Sequence, residues 1–487
     1  MIKIFKYFTL LSYSLLLAFP VEVFSNEASL PQLNLTYSGT LSKNMNNYIK
    51  ASLTVEDTDG EISEYPNVLI KTRGATASAY NNKPALNLKL RDQEGNELDE
   101  NLLGIRKASS FILDAMAIDR INMRNRVAFD IWNSFSRLPY ETDFDSRNGT
   151  SGKFVEVFLN GKYRGIYCLS DKINRKLLDL KKPQIDEETG EVNIRGVLYK
   201  NGTNDIADQT KPGFFNDYID FVALYHDAWE LHEPEEYACP EAWEPLQELY
   251  DSKHYLDYNY VKQHFYLENL ADYTIHIMAL CIQDNWGTKN RYFSIRNITK
   301  DDNNGRFIIT PWDLDASLGG NYNGTKYGGN YTQWQISDIA KNPPIPLTAC
   351  MGNSEFKTIL RNRWIEGSIS AFSVDAVKQR LEEYADLFIE SGAWERSVKA
   401  ANPHDLIVKD LKEEISLIMD WYEKRFKEMD KYFGVSDNDR EAFSMIRPLK
   451  EDYDHSTETI FNLQGIPVKN MDKPGLYIKN GKKIIVK

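Results

Sequence analysis

The densest run of residue types able to do chemistry is Asp284-Asn285-Trp286-Gly287-Thr288-Lys289-Asn290, followed by Pro311-Trp312-Asp313-Leu314-Asp315. Asp284 is suited to take a proton from a hydroxyl. The side-chain carbonyl of Asn290 is suited to a hard cation. Asp313 and Asp315 stand two apart at the end of an expected strand, which puts both carboxylates on one face. Such a pair favours Mg or Ca, which take oxygen ligands. On spacing alone three readings stay open. One is a metal-assisted transfer site. Another is a structural Ca site, with Asp284 and Asn290 in ordinary cap and turn roles. The third is a carboxylate pair that cleaves a glycosidic bond.

A site of this kind needs rigid elements on both sides. An apolar-periodic run over 260–282 predicts one helix with a largely buried face, ending just before Asp284. Residues 291–298 and 306–311 read as two strands joined by a polar turn at 300–305. Upstream, residues 33–90 alternate apolar and polar, as in Leu86-Asn87-Leu88-Lys89-Leu90, which is strand periodicity. Phe111-Ile112-Leu113 reads as another strand, and Asp119 caps a helix running through Arg124, Val127, Phe129 and Trp132. Strands at 154–159 and 163–169 flank Asn160-Gly161, a strong hairpin signal, and 197–200 is a further strand. Downstream, Leu411, Ile415, Ile418, Tyr422, Phe426, Met429 and Phe433 form one core-facing helical stripe that Gly434 terminates.

With 487 residues, 26% of them charged, the chain is long and mixed enough to bury a sizeable core in two to four units. The net charge of −13 argues against a nucleic-acid partner and is compatible with a basic protein substrate. Residues 1–25 read as a secretory signal: Lys3 and Lys6, an apolar run over 10–19, then Val23-Phe24-Ser25. That run is short for a bilayer span. The expectation is an exported protein, periplasmic, surface-bound or extracellular, with no transmembrane segment. Cys168, Cys239, Cys281 and Cys350 show no zinc spacing. Cys168 and Cys281 read as buried thiols, and Cys239–Cys350 is the candidate disulfide. The expected division is a β-rich lobe over 26–200, a mostly helical lobe over 201–436, a linker over 437–458 and a small β tail over 459–487.

Arg73-Gly74, Lys83-Pro84, Leu103-Gly104 and Asp119 with Met123-Arg124-Asn125 resemble the opening of the spore coat protein H (CotH) kinase family. The hairpin around Asn160-Gly161, then Leu198-Tyr199-Lys200, the 284–290 loop and Pro311-Trp312-Asp313-Leu314-Asp315 continue the resemblance in order, over about 70–430. It implies an α+β, divergent protein-kinase-like fold with a β-rich N-terminal lobe, a mostly helical C-terminal lobe and a small C-terminal β tail. It implies binding of ATP with Mg or Mn and phosphate transfer to Ser or Thr of secreted or surface proteins. By resemblance Asp284 is the catalytic base, Asn290 and Asp313 hold metal, and Asp315 is an added ligand. Arg73, Lys83 and Lys200 are candidates to bind the nucleotide.

Two departures follow. No GxGxxG loop precedes Lys83, which leaves Arg73-Gly74-Ala75-Thr76 as the phosphate cover. Ordinary kinases pair the phosphate-binding Lys with a Glu. Here the matching residue is Asp171, one methylene shorter, so a Lys83 ion pair is expected to be weaker or absent. The alternative function is a non-catalytic surface protein that keeps the fold. It is motivated by the leader, the aromatic-rich 203–255 stretch and a tail, 460–483, that resembles C-terminal sorting segments of Bacteroidetes surface proteins.

Overall fold

A computed structural model describes residues 29–42, 45, 47–74, 83–140, 142, 146–201, 229–234, 240–251, 253–282, 285, 290–321, 324, 343–402, 405–451, 460–462, 467–468, 471, 475–479 and 482–486. The expected leader lies outside them. Among the described residues no helix is long and apolar enough to cross a membrane.

The alternating N-terminal segments become β1 (Gln32–Tyr37), β2 (Ile49–Glu56), β3 (Ile62–Thr72), β4 (Leu86–Leu90), β5 (Ser110–Asp114), β6 (Gly152–Leu159) and β7 (Lys162–Ser170). They close into a barrel in the order β1-β2-β3-β4-β5-β7-β6, with β1 and β6 pairing in parallel to shut it. Successive side chains in a strand point to opposite faces, so every second residue fills the interior. Leu33, Leu35, Val68, Ile70, Leu86, Leu88, Leu90, Val155 and Val157 are buried there. At the β6–β7 hairpin, Asn160 and Gly161 both take positive φ, 49° and 73°, the conformation that a two-residue turn needs to match strand twist.

A second, antiparallel sheet runs in the order β11-β10-β12-β13. Its strands are β10 (Val197–Asn201), β11 (Trp229–Glu233), β12 (Arg291–Ile295) and β13 (Phe307–Pro311), and a small pair, β8 (Gln184–Ile185) and β9 (Val192–Asn193), stands apart. The expected boundary at residue 200 therefore cuts a sheet: Val197 pairs with Ile295 and Lys200 with Tyr292. Local periodicity carries no information about so distant a partner.

Helix α1 (Arg124–Phe135) is capped as expected, Asp119 Oδ2 accepting from the amides of Met123 and Arg124 at 2.7 Å each. Its apolar face joins the helical core rather than the barrel: Val127, Ile131 and Trp132 cluster with residues of the second sheet and the later helices. Those helices are α2 (Pro240–Asp251), α3 (Tyr258–His264), α4 (Leu267–Leu280), α5 (Leu347–Cys350), α6 (Ser354–Ser368), α7 (Val374–Glu390), α8 (Ala393–Ala400), α9 (Leu411–Phe433) and α10 (Asp437–Glu451). The single helix expected over 260–282 is two. Phe265 leaves helical geometry (φ −120°, ψ 151°) to bridge Phe307, and Tyr266 N donates to the Phe307 carbonyl at 3.1 Å. Helix α9 ends at Gly434 in the left-handed conformation, as its stripe predicted. Residues 437–451, expected as linker, are helical, and Arg361 pairs with Asp439 at 2.6 Å to tie this helix to α6.

In the tail, β14 (Ile460–Asn462), β15 (Pro467–Val468), β16 (Gly475–Lys479) and β17 (Lys482–Val486) form an antiparallel sheet, the small β tail expected over 459–487. Cys168, Cys281 and Cys350 are buried free thiols. The Cys239–Cys350 disulfide is thus not formed. Cys239 lies outside the described residues, and burial pushes the Cys350 thiol up to about 12.

Candidate functional site

Strand β13 stops at Pro311, and the acidic turn begins at once. Trp312 N donates to the Asn290 carbonyl at 2.9 Å. Asp313 has φ +59° and Asn290 φ +65°, a left-handed conformation that Asp and Asn tolerate better than most residues. This overturns the strand argument that set Asp313 and Asp315 on one face. Alternation holds only along extended backbone, and Asp313 has left it. Asp313 is exposed, Asp315 is half-buried, and the buried Leu314 between them anchors the turn.

Two asparagine side chains hold this turn. Asn285 Nδ2 donates to the Trp312 carbonyl at 2.9 Å and to that of Asp313 at 3.2 Å. The Asn285 carbonyl accepts from Tyr273 Oη at 2.6 Å, which ties the loop after α4 to the helix itself. Its side-chain Oδ1 is buried with no hydrogen-bond donor. On the other side, Leu314 N donates to Asn125 Oδ1 at 3.0 Å. Asn125 in turn donates to Asp114 Oδ2, at the end of β5, at 2.7 Å.

Asp114 belongs to the surroundings of Lys83. The Lys83 ammonium donates to Asn122 Oδ1 and lies 5.4 Å from the centre of the Tyr167 ring. Enclosure of the ammonium pushes its pKa down to about 8, against the opposing pull of Asp114, Asp119 and Asp405. Asp119 is already committed, accepting from the amides of Ile121, Met123 and Arg124 and from the Arg124 guanidinium at 2.5 Å. Lys83 makes no ion pair with Asp171, in line with the weak or absent pair expected there. Asp171 is fully buried on a different partner set, 3.5 Å from Arg106 and accepting from Ser151 N at 2.8 Å. The carboxylates near Lys83 come instead from the end of β5, the start of α1 and the segment before α9.

Arg73, at the end of β3, lays its guanidinium 5.3 Å from the centre of the Trp312 ring. Trp312 meets Tyr292 edge-on at 5.9 Å, and Tyr292 meets His232 in the same manner at 5.7 Å. Lys200 lies directly across from Tyr292 and from Glu230 in the two ladders, so it shares their sheet face. Burial holds the Tyr292 hydroxyl far above the ordinary phenol range; Arg73 pulls it down, and Glu230 and Asp313 push it further up.

Arg73, Asn290 and Asp313 are thus gathered at one end of the second sheet, with Lys200 on the same sheet face as Tyr292. Lys83 is joined to them through Asp114, Asn125 and Leu314. Asp284 lies outside the described residues, as do Ala75 and Thr76 of the expected phosphate cover. Asn125 and Asn122 were missed as site residues. An Asn in the first turn of a helix whose cap is already supplied by Asp119 was the available signal. Asn285 was visible only as a member of the constellation.

A barrel and a second sheet with helices, meeting at an acid- and amide-rich turn, define a mixed α+β protein with one composite polar site. The family model for the CotH kinase protein matches residues 70–429. The chain belongs to the CotH kinase family. No curated protein matches it.

Proposed function

We propose that the protein is a phosphotransferase that uses ATP with Mg or Mn to phosphorylate Ser or Thr of an exported protein. The observation that carries this is the Asp313 turn, fixed to the Asn290 loop by Trp312 N and standing beside the guanidinium of Arg73. Family membership favours kinase-like transfer over the calcium-site and glycosidase readings.

The donor set fits a hard divalent cation: the exposed Asp313 carboxylate, the half-buried Asp315, the side-chain carbonyl oxygen of Asn290 and, nearby, a buried Asn285 oxygen without a donor. Asp313 and Asn290 would hold the ion, with Asp315 as an added ligand. A bound cation supplies neutralisation of charge on the phosphoryl oxygens. Arg73 presents a planar donor fork suited to phosphate, and Lys83 and Lys200 supply further positive charge. Asp284 takes the proton of the acceptor hydroxyl.

The test is transfer of labelled phosphate from ATP to a Ser-containing basic protein such as histone, or to the chain itself. Asp284→Asn should lose turnover while keeping nucleotide affinity within about threefold, the signature of a group used only in the transition state. Equal loss of both in Asp284→Asn and Asp313→Ala would show that the two roles are wrongly divided.

A further inference from the structure

We propose that Asn125 is a positioning residue that couples the Lys83 side of the site to the Asp313 turn; this rests on the phosphotransferase reading. Asn125 stands in the first turn of α1, where Asp119 already satisfies the amides of Met123 and Arg124. Its own side chain is therefore released from capping. It reaches instead in two directions, giving Nδ2–H to Asp114 Oδ2 at 2.7 Å and taking the Leu314 amide on Oδ1 at 3.0 Å.

The two bonds can be made in one amide orientation alone. A carboxylate oxygen only accepts and a main-chain N–H only donates, so a flipped amide would oppose oxygen to oxygen and nitrogen to nitrogen. Asp114 is the carboxylate first among those pulling on the Lys83 ammonium. Leu314 is the buried residue between Asp313 and Asp315. One planar group thereby sets the spacing between a cationic side chain reached through the barrel and a carboxylate carried by the second sheet. The turn also needs an external hold. Asp313 sits at positive φ, and without Oδ1 the buried Leu314 amide must find another acceptor, which would turn the Asp313 carboxylate with it.

The experiment measures, on the full chain, how much Mg raises ATP affinity in calorimetry, alongside the melting temperature without ligand. Asn125→Asp keeps the acceptor for Leu314 but faces Asp114 with a second carboxylate. It should cut the Mg-dependent gain by about tenfold, the value of one charge-assisted hydrogen bond. Asp114→Asn combined with Asn125→Asp reverses donor and acceptor while preserving the pair. That double variant should return to within about threefold of the starting protein, because coupled sites do not add.

A normal Mg-dependent gain in Asn125→Asp, with or without a lowered melting temperature, would overturn the proposal. So would a folded double variant as impaired as Asn125→Asp. Should Asn125→Asp fail to fold, the double variant decides alone by the same criterion. Absence of Mg-dependent ATP binding in the unmodified chain would instead sink the phosphotransferase reading itself, and this inference with it.

Discussion

Arg73 and Trp312 stack across the joint between the barrel and the second sheet, guanidinium to ring at 5.3 Å. The contact sets a planar, permanently charged group beside the Asp313 turn. Such stacking contributes about 0.5–2 kcal/mol depending on solvation. Arg73→Lys keeps the charge but loses the stack and the bidentate fork. ATP affinity in the presence of Mg should fall about five- to thirtyfold in Arg73→Lys, and Trp312→Leu should share most of that loss. Unchanged affinity in Arg73→Lys would remove Arg73 from the phosphate site.

Lys83 gives a pH prediction. Its pKa is lowered from 10.5 to about 8, so between those values the unfolded chain binds a proton that the folded chain has released. Stability should therefore rise with pH across that window, the burial cost of the ammonium fading as pH passes about 8. Phosphate binding has the opposite sign, because it needs the ammonium. Affinity for ATP should decline above pH 8 in the unmodified chain and stay flatter in Lys83→Arg. Denaturation and calorimetric titration at pH 7 and pH 9.5 read both effects.

Gly165 sits at φ +97°, and a Cβ there would lie 3.3 Å from Ser397 Oγ of α8 and 3.6 Å from Lys83 Cε. Gly165→Ala should destabilise the fold by about 1–3 kcal/mol, from backbone strain in a region that side chains avoid. A urea melt checks this. An unaltered midpoint would mean that β7 can relax there without cost.

The Asp119–Arg124 pair is buried on both sides, at 0% and 2% side-chain exposure. Asp119→Ala removes the cap of α1 and, together with it, the carboxylate paired with a buried guanidinium. The expected loss is about 3–5 kcal/mol, and Asp119→Asn, which keeps the acceptor for the amides, should cost less. Chemical denaturation of the two variants separates cap from charge.

What the residue pattern disclosed was mostly local. The alternation at 33–90, the Asn160-Gly161 turn, the Asp119 cap and the Gly434 stop each depend on neighbours a few positions apart, and each is present. The chain did not disclose that β10 pairs with β12, that α1 packs away from the barrel, or that Phe265 interrupts a helix to reach Phe307. Those depend on partners far along the chain. The site divides the same way. Asp313 stood out by its acidic neighbours, whereas Asn125 acquires its part only through Asp114 and Leu314, 11 and 189 positions away. For Asp171 the shorter side chain already argued against a Lys83 pair, whereas its actual partners, Arg106 and the Ser151 amide, could not be read from the chain.

Metal-dependent nucleotide binding at the Asp313 turn is read by calorimetric titration of ATP into the chain from Asn26 onward, with and without Mg or Mn, beside Asp313→Ala. Binding should be strengthened by the divalent cation and weakened by at least about tenfold in Asp313→Ala, as expected for loss of a charged ligand. Binding that ignores the cation, or that survives intact in Asp313→Ala, would contradict metal-dependent binding at this turn.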